Sequence, residues 1–274
     1  MKIGFIGTGS MGSMLIETFL ASGTLKEENI VITNRTTEKA YAIQDRYPNI
    51  TVTKHIATCI AQSDWLFLCV KPKDMPGLFQ KMAPLVRAEQ LAISITSPIS
   101  TAALDSALPC KTCRVIPTIL NRAQAGATLM SFGERCTTSD KHDVYTFMSK
   151  ISTPLVIEEN ITRVSSDIIS CGPAFFSFLA QRLIEGACSQ THISEEKATA
   201  LTTSMLIGLG KLLEEGHYTL PALQERVCVP GGITGEGIAA LSQALGDGFD
   251  ILFQRTHEKY EEEKKHLTER LTYQ

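Results

Sequence analysis

Two glycine-rich turns in this sequence have residue types and spacings that are typical of ligand-binding sites. Near the start, a short apolar run leads into a G-x-G-x-x-G pattern that is followed by an amphipathic segment. Glycine lets backbone N–H groups approach a ligand closely, and a helix N-terminus attracts anions, so this context predicts a dinucleotide pyrophosphate site. The residues assigned to it are Gly7, Thr8, Gly9, Ser10, Met11 and Gly12.

The second turn reads V-P-G-G-I-T, far along the chain, and runs into a helical pattern. Backbone N–H groups at the start of that helix form a predicted cradle for a carboxylate. Two interpretations of Thr234 stay open: its hydroxyl caps the helix, or it binds a ligand in the same turn. The residues assigned to this turn are Val229, Gly231, Gly232, Ile233 and Thr234.

The end of the second predicted strand indicates which dinucleotide binds. An NAD enzyme usually has Asp or Glu about 20 residues after the glycines, to hold the ribose 2′-hydroxyl. This chain has Thr33, Asn34, Arg35 and Thr36 there. A guanidinium flanked by hydroxyl and amide groups holds a 2′-phosphate through charge-assisted hydrogen bonds, whereas a carboxylate repels it. NADPH is therefore favoured over NADH, with Asn34, Arg35 and Thr36 as its ligands; the alternative is that Arg35 merely ends a strand in solvent.

Val70, Lys71 and Pro72 end the fourth predicted strand. In a doubly wound sheet, ligands lie across the carboxyl ends of the strands, so this segment is expected to face the cofactor. Pro72 fixes the turn into the next helix. Lys71 is interpreted as a surface or positioning residue and not as a catalytic acid.

Short apolar runs alternate with amphipathic stretches over roughly the first 160 residues. The early runs are almost continuously apolar, which is typical of parallel strands buried on both faces. This alternation predicts a doubly wound α/β sheet of the Rossmann type. The predicted strands are residues 2–6, 30–33, 51–53, 65–70, 91–96, 114–117, 128–132 and 155–157.

Strand signals stop after about residue 160, and the remaining patterns are helical. The sequence therefore predicts an α/β domain over residues 1–160 and an all-helical domain over residues 161–274. The final run H-E-K-Y-E-E-E-K-K-H-L-T-E-R is charged, so a solvated helix end is favoured over a partner-binding tail. The predicted helices are residues 164–190, 195–216, 219–227 and 235–270, the last about 50 Å long if unbroken.

Composition narrows the class of function. A net charge of −3 argues against a general binder of nucleic acid, which needs a clustered positive excess. No run approaches the roughly 20 apolar residues of a membrane span, and the early glycines argue against a signal peptide. The eight cysteines are therefore expected to be reduced, in the cytoplasm. Cys110 and Cys113 form a lone C-x-x-C that lacks a second ligand pair, so no metal site is predicted.

These motifs together resemble the pyrroline-5-carboxylate reductase family, and the resemblance covers essentially the whole chain. It rests on GFIGTGSMG at the start, CVKP at 69–72, RVIP at 114–117, CGPAF at 171–175 and VCVPGGITGEGI at 227–238. The glycine fingerprint is shared with many dehydrogenases, whereas the Pro-Gly-Gly-x-Thr turn and the Gly-Pro-Ala-Phe helix start are more specific. The sequence is also similar to the reductase-like branch of this family that late-competence operons of bacilli encode.

The resemblance implies a Rossmann domain followed by a helical domain that interlocks two subunits into a homodimer, with larger assemblies of dimers in the family. The implied reaction is hydride transfer from NADPH to the C=N carbon of a cyclic imine carboxylate, 1-pyrroline-5-carboxylate, giving L-proline. By position, the turn at 231–234 binds the substrate carboxylate, and Thr234 hydrogen-bonds the ring nitrogen. A neutral hydroxyl acceptor suits this role, because the imine accepts hydride most readily when it is protonated.

The chain also departs from the family pattern at polar positions. Val229 stands where the family usually has Ser, residues 116–120 lack the Asn of the family's Met-Pro-Asn-Thr-Pro, and residues 96–98 replace an Ala-Ala-Gly. Each hydrogen bond to a charged group contributes about 1.5–3 kcal/mol. Three hypotheses therefore stay open: a pyrroline-5-carboxylate reductase, a reductase of the same fold for another imine or keto acid, and a non-catalytic NADP-binding paralogue that acts through partners.

Overall fold

Eight short strands alternate with helices in the first part of the chain, as the sequence predicts. The computed structural model describes residues 1–272, with side chains as far as Leu267. The strands are β1 (Ile3–Ile6), β2 (Ile30–Thr33), β3 (Thr51–Val52), β4 (Trp65–Leu68), β5 (Leu91–Ser94), β6 (Lys111–Ile116), β7 (Ala127–Phe132) and β8 (Thr153–Val156). The helices among them are α1 (Ser10–Ala21), α2 (Thr37–Gln44), α3 (Ile56–Ala61), α4 (Met75–Met82), α5 (Thr101–Ala107) and α6 (Thr138–Met148).

The strands form one sheet in the order β3-β2-β1-β4-β5-β6-β7-β8. The order reverses at β1, which pairs in parallel with β2 on one side and with β4 on the other. A reversal of this kind opens a crevice at the carboxyl ends of the strands, where doubly wound proteins bind nucleotides. The predicted Rossmann-type sheet is confirmed.

The prediction of a parallel sheet is wrong at one place, because β7 pairs antiparallel with β6. Only residues 117–126 connect the two strands, and they hold a short 3₁₀ turn, Ile119–Ala123. A parallel crossover needs a dozen or more residues, so this connection can only reverse the chain. β8 then pairs in parallel with β7 and continues the sheet.

Apolar side chains are buried on both faces of the sheet, in two clusters. One cluster contains an aromatic group in which Phe5 stacks on Phe67 with ring centroids 5.0 Å apart, and Phe19 lies 4.6 Å from Phe147. These rings join β1 and β4 to α1 and α6, at about 0.5–1.5 kcal/mol per aromatic pair beyond their area burial. The cluster therefore fixes the strand and helix that flank the glycine pattern.

The chain divides into two compact units, one formed by Met1–Cys171 with the chain from Thr256 onward, the other by Gly172–Arg255. This division differs from the sequence-based ranges 1–160 and 161–274, which stay a prediction. The remaining helices are α7 (Thr162–Ser166), α8 (Gly172–Gln190), α9 (Glu195–Glu214), α10 (Leu220–Val227), α11 (Ile233–Leu245) and α12 (Gly248–Thr272).

Two of the predicted long helices are interrupted. The helix expected over 164–190 contains a π turn at Asp167–Cys171, which ends two residues before Pro173. Proline lacks an N–H and clashes with the carbonyl four residues earlier, so the backbone widens there. The helix expected over 235–270 breaks at Gly246, whose positive φ of 42° a continuing α-helix excludes. A single helix of about 50 Å is therefore wrong.

The expectation of a solvated end for the final charged run is also wrong for one face of α12. Tyr260 is 8% exposed and Leu267 is 6% exposed. Leu267 joins the second apolar cluster, and Tyr260 donates a hydrogen bond to the Ser97 carbonyl at 3.2 Å. Charged side chains cover the opposite face, so the sequence pattern conceals a narrow buried stripe.

Cys110 and Cys113 are fully buried in different apolar clusters, and all eight cysteines are free thiols. Burial raises the pKa of both Cys110 and Cys113, so both are neutral. Within the described residues, no group of three or more His, Cys, Asp or Glu side chains is placed to hold a metal ion. A search of the same residues finds no helix whose length and apolar character would let it cross a membrane.

Candidate functional site

The glycine loop after β1 is fixed by contacts with both neighbouring strands. The Gly7 N–H donates to the Thr33 carbonyl at 2.9 Å, at the end of β2. Gly7 has φ of +103°, and a Cβ there would lie 2.5 Å from the Cys69 carbonyl oxygen, just after β4. The turn therefore requires glycine both for its backbone conformation and for space.

Helix α1 begins directly after this loop with an open N-terminus. Gly9 is its N-cap residue, and no side chain caps the helix. A Cβ at Gly9 would meet no atom within 4 Å, so the space in front of the first turn is empty of protein. At Gly12 a Cβ would collide with the Gly7 carbonyl, because helix and loop pack closely there. Free N–H groups and the positive end of α1 thus face open space, as pyrophosphate binding requires.

A cavity of about 720 Å³ lies at the carboxyl ends of β1, β2 and β4. Of the predicted cofactor residues, its lining contains Gly7, Gly9, Asn34, Arg35, Thr36, Val70 and Lys71. Thr8, Ser10, Met11, Gly12 and Pro72 are outside this lining. Thr8 and Gly12 are buried instead, and Pro72 opens a short 3₁₀ turn at Pro72–Asp74. The structure thus brings the ends of three strands together around one space.

The rim of this cavity is strongly basic. Arg35 shares it with five lysines, and its Nη1 lies 3.5 Å from the Asp74 Oδ1. The Arg35 side chain is 86% exposed, so its guanidinium is free to meet a ligand from solvent. A cluster of cations of this kind attracts a phosphate group. The five lysines are Lys39, Lys54, Lys71, Lys73 and Lys81.

Sequence reasoning missed four of these lysines, all but Lys71. Lys39 lies four residues after Arg35, in α2, and Lys73 and Lys81 flank Gly77 at helical spacing. That spacing was a poor signal, because Arg35 precedes α2 and Lys73 lies in the 3₁₀ turn before α4, so the same-face rule for helices does not apply to these pairs. Lys54 follows β3 and reaches the cavity only because β3 pairs with β2, so its position depends on the strand order.

Asn34 has a structural role at the edge of the cavity. Its Oδ1 accepts a hydrogen bond from the Thr8 backbone N–H at 3.0 Å, and its Nδ2 donates to the Thr36 carbonyl at 2.8 Å. The side chain therefore ties the glycine loop to the segment after β2. A direct contact of Asn34 with cofactor stays a prediction.

The Pro-Gly-Gly turn before α11 also leaves a helix N-terminus without a side-chain cap. Gly232 is the N-cap residue and donates its N–H to the Val229 carbonyl at 2.9 Å, while Gly231 has φ of +73°. Thr234 lies inside the helix, so the interpretation that it caps α11 is wrong. A Cβ at Gly232 would lie 2.8 Å from the Val229 Cγ2, which shows that this side chain packs against the turn.

The segment at 116–120 has a structural explanation for its altered residues. Thr118 is buried, and its N–H donates to the Asn121 Oδ1 at 2.8 Å. Asn121 is also buried, donates to the Ala125 carbonyl at 3.0 Å and accepts from Thr128 at 3.2 Å. These polar groups hold the tight connection from β6 to β7. Thr118 and Asn121 therefore stabilise the turn itself.

The cavity fits a dinucleotide by two independent features: the helix N-terminus that opens onto the space over Gly9, and the basic rim. Cys69 belongs to the wall, where burial raises the pKa of its thiol, so no thiolate opposes the bound phosphates. The fold and this cavity define a dinucleotide-binding protein of the Rossmann type.

Comparison with known proteins places the chain more narrowly. Residues 2–98 match the family model described as "NADP oxidoreductase coenzyme F420-dependent", and residues 159–263 match "Pyrroline-5-carboxylate reductase dimerisation". ComE operon protein 4 of Bacillus subtilis is 51% identical over 263 residues, covering 96% of each chain. Pyrroline-5-carboxylate reductase 3 of the same organism is 30% identical over 264 residues, covering 95% of this chain and 96% of that protein.

Solved structures of the same class share the fold. The Plasmodium falciparum pyrroline carboxylate reductase with NADP bound superposes with a TM-score of 0.82 at 20% identity, covering 97% of each chain. The Coxiella burnetii pyrroline-5-carboxylate reductase gives 0.83 at 22% identity, covering 97% of this chain and 98% of that one. The chain belongs to the pyrroline-5-carboxylate reductase family and has the fold of an NAD(P)-dependent oxidoreductase.

Proposed function

We propose that this protein reduces 1-pyrroline-5-carboxylate to L-proline with NADPH. The observation that carries the proposal is family membership over nearly the whole chain, joined to an intact dinucleotide cavity. When bound, the cofactor supplies the hydride, and the protein supplies binding, orientation and electrostatics. The glycine loop and the N-terminus of α1 hold the pyrophosphate, with Val70, Lys71 and Pro72 beside it.

The 2′-phosphate is assigned to Arg35, with Asn34 and Thr36 beside it. The lysine-rich rim supports NADPH over NADH, because each charge-assisted hydrogen bond to the phosphate favours the phosphorylated cofactor. Asp74, which also lines the cavity, lies 3.5 Å from the Arg35 guanidinium as a counter-charge. It orients the guanidinium without neutralising the basic rim as a whole.

The substrate is assigned to the Pro-Gly-Gly turn. Backbone N–H groups of Gly231, Ile233 and Thr234 bind its carboxylate. Gly232, whose own N–H is bonded to the Val229 carbonyl, shapes the turn, and Val229 borders the site. The Thr234 hydroxyl is the group assigned to the ring nitrogen, where it accepts a hydrogen bond from the protonated imine. This role needs no strong base, since a hydroxyl oxygen is a sufficient acceptor.

The test is NADPH oxidation, followed by its absorbance, with pyrroline-5-carboxylate as acceptor and NADH as the alternative cofactor. The expected result is turnover at an ordinary enzyme rate of about 1 per second or more, faster with NADPH. Absence of turnover in a preparation that binds NADPH would overturn the proposal that this protein catalyses the reaction. Such a preparation would be a cofactor-binding paralogue that has lost catalysis.

A second candidate, reduction of an imine that lacks a carboxylate, is favoured by Glu236. This residue lies in the first turn of α11, the helix assigned to the substrate carboxylate. Its negative charge opposes an anion at that helix N-terminus. Wild-type preference for 1-pyrroline, which lacks the carboxylate, over pyrroline-5-carboxylate would establish this candidate and displace the first.

Glu236→Gln sharpens the choice, and Glu196→Gln is the matched control because Glu196 also lies in the first turn of a helix, α9. Removing the Glu236 charge is expected to raise kcat/KM for pyrroline-5-carboxylate about two- to fivefold relative to 1-pyrroline. The control is expected to change neither. Equal effects on both substrates would show that Glu236 does not face the carboxylate.

The proposal includes a homodimer, or an assembly of dimers, in the cytoplasm. Support for the dimer comes from the dimerisation model matched by residues 159–263. Support for a reducing compartment comes from eight cysteines that are all free thiols. Sedimentation of the purified protein as a monomer at micromolar concentration would contradict the assembly.

A further inference from the structure

Arg114 holds the loop that follows β5. It lies in β6, fully buried, and its two terminal nitrogens meet the Glu159 carboxylate at 2.9 and 2.8 Å. The same guanidinium donates to the Ser97 carbonyl at 3.1 Å and to the Ile99 carbonyl at 3.3 Å. The bidentate pair compensates the buried charge, and the remaining bonds fix the loop backbone.

Tyr260 reaches the same carbonyl from the C-terminal helix. Its Oη donates to the Ser97 oxygen at 3.2 Å, and its ring lies 5.4 Å from the Arg163 guanidinium. Burial raises the pKa of the Tyr260 phenol, so it stays a donor throughout the neutral range. The Ser97 carbonyl oxygen therefore accepts hydrogen bonds from two buried donors, Arg114 of β6 and Tyr260 of α12. Two donors use both lone pairs of this oxygen and fix the peptide plane.

Ser97 lies where the second half of a dinucleotide is expected. It follows β5, which ends at Ser94 and pairs with β4. Just after β4, Val70 and Lys71 enter the cavity lining. In doubly wound sheets the two nucleotide halves lie on opposite sides of the reversal in strand order. Because the adenosine half is assigned to Arg35 beside β2, the nicotinamide half is expected beside β4 and β5.

We propose that Tyr260 is a positioning residue for the nicotinamide half of the cofactor, acting through the Ser97 carbonyl and the turn at 96–98. This inference rests on the proposed function. It makes the last helix part of the cofactor site, although the helix carries no residue of the glycine fingerprint. Loss of the phenol leaves the Ser97 oxygen bonded to Arg114, so the expected change is in backbone position and not in folding.

The experiment compares Tyr260→Phe with Thr256→Val, each in the full chain. Thr256 anchors the same helix through a different contact, its hydroxyl donating to the Asp167 carboxylate at 2.7 Å. Both variants lose one hydroxyl and keep their packing. Two ligands are titrated: NADPH, which spans both halves of the site, and 2′,5′-ADP, which occupies only the adenosine half. Thermal unfolding is followed in parallel.

Tyr260→Phe is expected to weaken NADPH binding about three- to tenfold, the range of one ordinary hydrogen bond, and to leave 2′,5′-ADP affinity within about twofold. Thr256→Val is expected to leave both affinities unchanged. Where turnover is measurable, Tyr260→Phe should lower kcat more than it changes KM for the imine, since misplacement of the nicotinamide affects the reacting geometry.

Equal weakening of both ligands by Tyr260→Phe would assign the residue a general structural role and overturn the proposal. Wild-type affinity for NADPH in that variant would overturn it as well, while the proposed function would stand. Failure of the wild-type chain to bind NADPH would overturn the proposed function and this inference with it. The binding measurements need no substrate, so the outcomes are independent of which imine is reduced.

Discussion

The two compact units differ sharply in how much apolar surface each buries by itself. The unit that contains the sheet has two continuous apolar clusters with many side chains fully buried. In the unit Gly172–Arg255, Ala198 is the buried hydrophobic residue among those described, at 4% exposure. Its helices expose large apolar side chains along their length, including Phe176, Phe178, Leu183, Leu201 and Leu241.

The two units therefore differ in what is expected to stabilise them. The sheet unit contains a complete core, which the hydrophobic effect stabilises within one chain. The helical unit exposes many large apolar side chains, and exposed apolar patches are typical of interaction surfaces. The dimerisation model matched by residues 159–263 covers these helices. The comparison therefore predicts that substitutions in the sheet unit affect cofactor binding, whereas substitutions in the helical unit affect assembly.

The largest effect is expected from charges on the helical unit. The double variant Leu201→Asp, Leu241→Asp should weaken self-association on the order of a hundredfold or more, because each leucine contributes about 1.5–3 kcal/mol on burial. Sedimentation velocity over a concentration series measures it. Leu85→Asp, at an exposed apolar position of the sheet unit, is the control and should associate normally. An unchanged association constant in the double variant would refute the interface.

The next effect concerns the glycine loop. Gly9→Val should abolish NADPH binding, about a hundredfold or more, because its side chain fills the space in front of α1. The unfolding temperature should fall only slightly, since valine is a poor N-cap residue but a Cβ at Gly9 meets no protein atom within 4 Å. Gly12→Ala provides the contrast: its Cβ collides with the Gly7 carbonyl, so it should lower the unfolding temperature. A larger fall in unfolding temperature with Gly9→Val than with Gly12→Ala would contradict this account.

Cofactor preference should change with Arg35. Arg35→Ala is expected to reduce the affinity ratio of NADPH to NADH about tenfold to a hundredfold, with little effect on NADH itself. Arg87→Ala is the matched control, because Arg87 is an exposed arginine paired with Glu89 at 2.7 Å. Fluorescence titration of both cofactors measures the ratio. If Arg35→Ala leaves that ratio unchanged, the 2′-phosphate binds elsewhere.

The smallest expected effect is a pH-dependent contribution of Asp140, in the sheet unit, to the free energy of unfolding. Burial opposes ionisation of Asp140, but hydrogen bonds from Lys111 and Thr137 outweigh it and lower the pKa of the carboxyl group. A carboxyl group whose pKa is lower in the folded state stabilises the protein at pH values above its unfolded-state pKa of about 4. This stabilisation is lost as the pH falls through the folded-state pKa.

Asp140→Asn should therefore reduce the free energy of unfolding by about 1 kcal/mol at neutral pH, and the deficit should shrink below about pH 4. Urea denaturation at several pH values measures it. Asp143→Asn, on the same helix, is the control. A deficit that stays constant with pH would show that the Asp140 charge is not its cause.

Much of the sheet unit could be predicted from the sequence because its signals are local. Each of the eight strands overlaps its predicted range, since runs rich in apolar residues and bounded by turns have few alternatives to a strand. Arg35 and the glycines adjoin strand ends, so knowing the strands was enough to bring them to one cavity. The direction of β7 and the break at Gly246 depended on short segments whose length and φ values decide the path of the chain.

The sequence by itself determined the family, the sheet with its glycine loop and the basic residue that follows β2. Only the tertiary structure decided that Lys54 joins the cavity, that Thr118 and Asn121 serve a turn, and that Tyr260 reaches Ser97. The physical reason is separation along the chain. Periodicity reports which face of an element is apolar, whereas a hydrogen bond between residues 163 positions apart exists only once the strand order and helix packing are set.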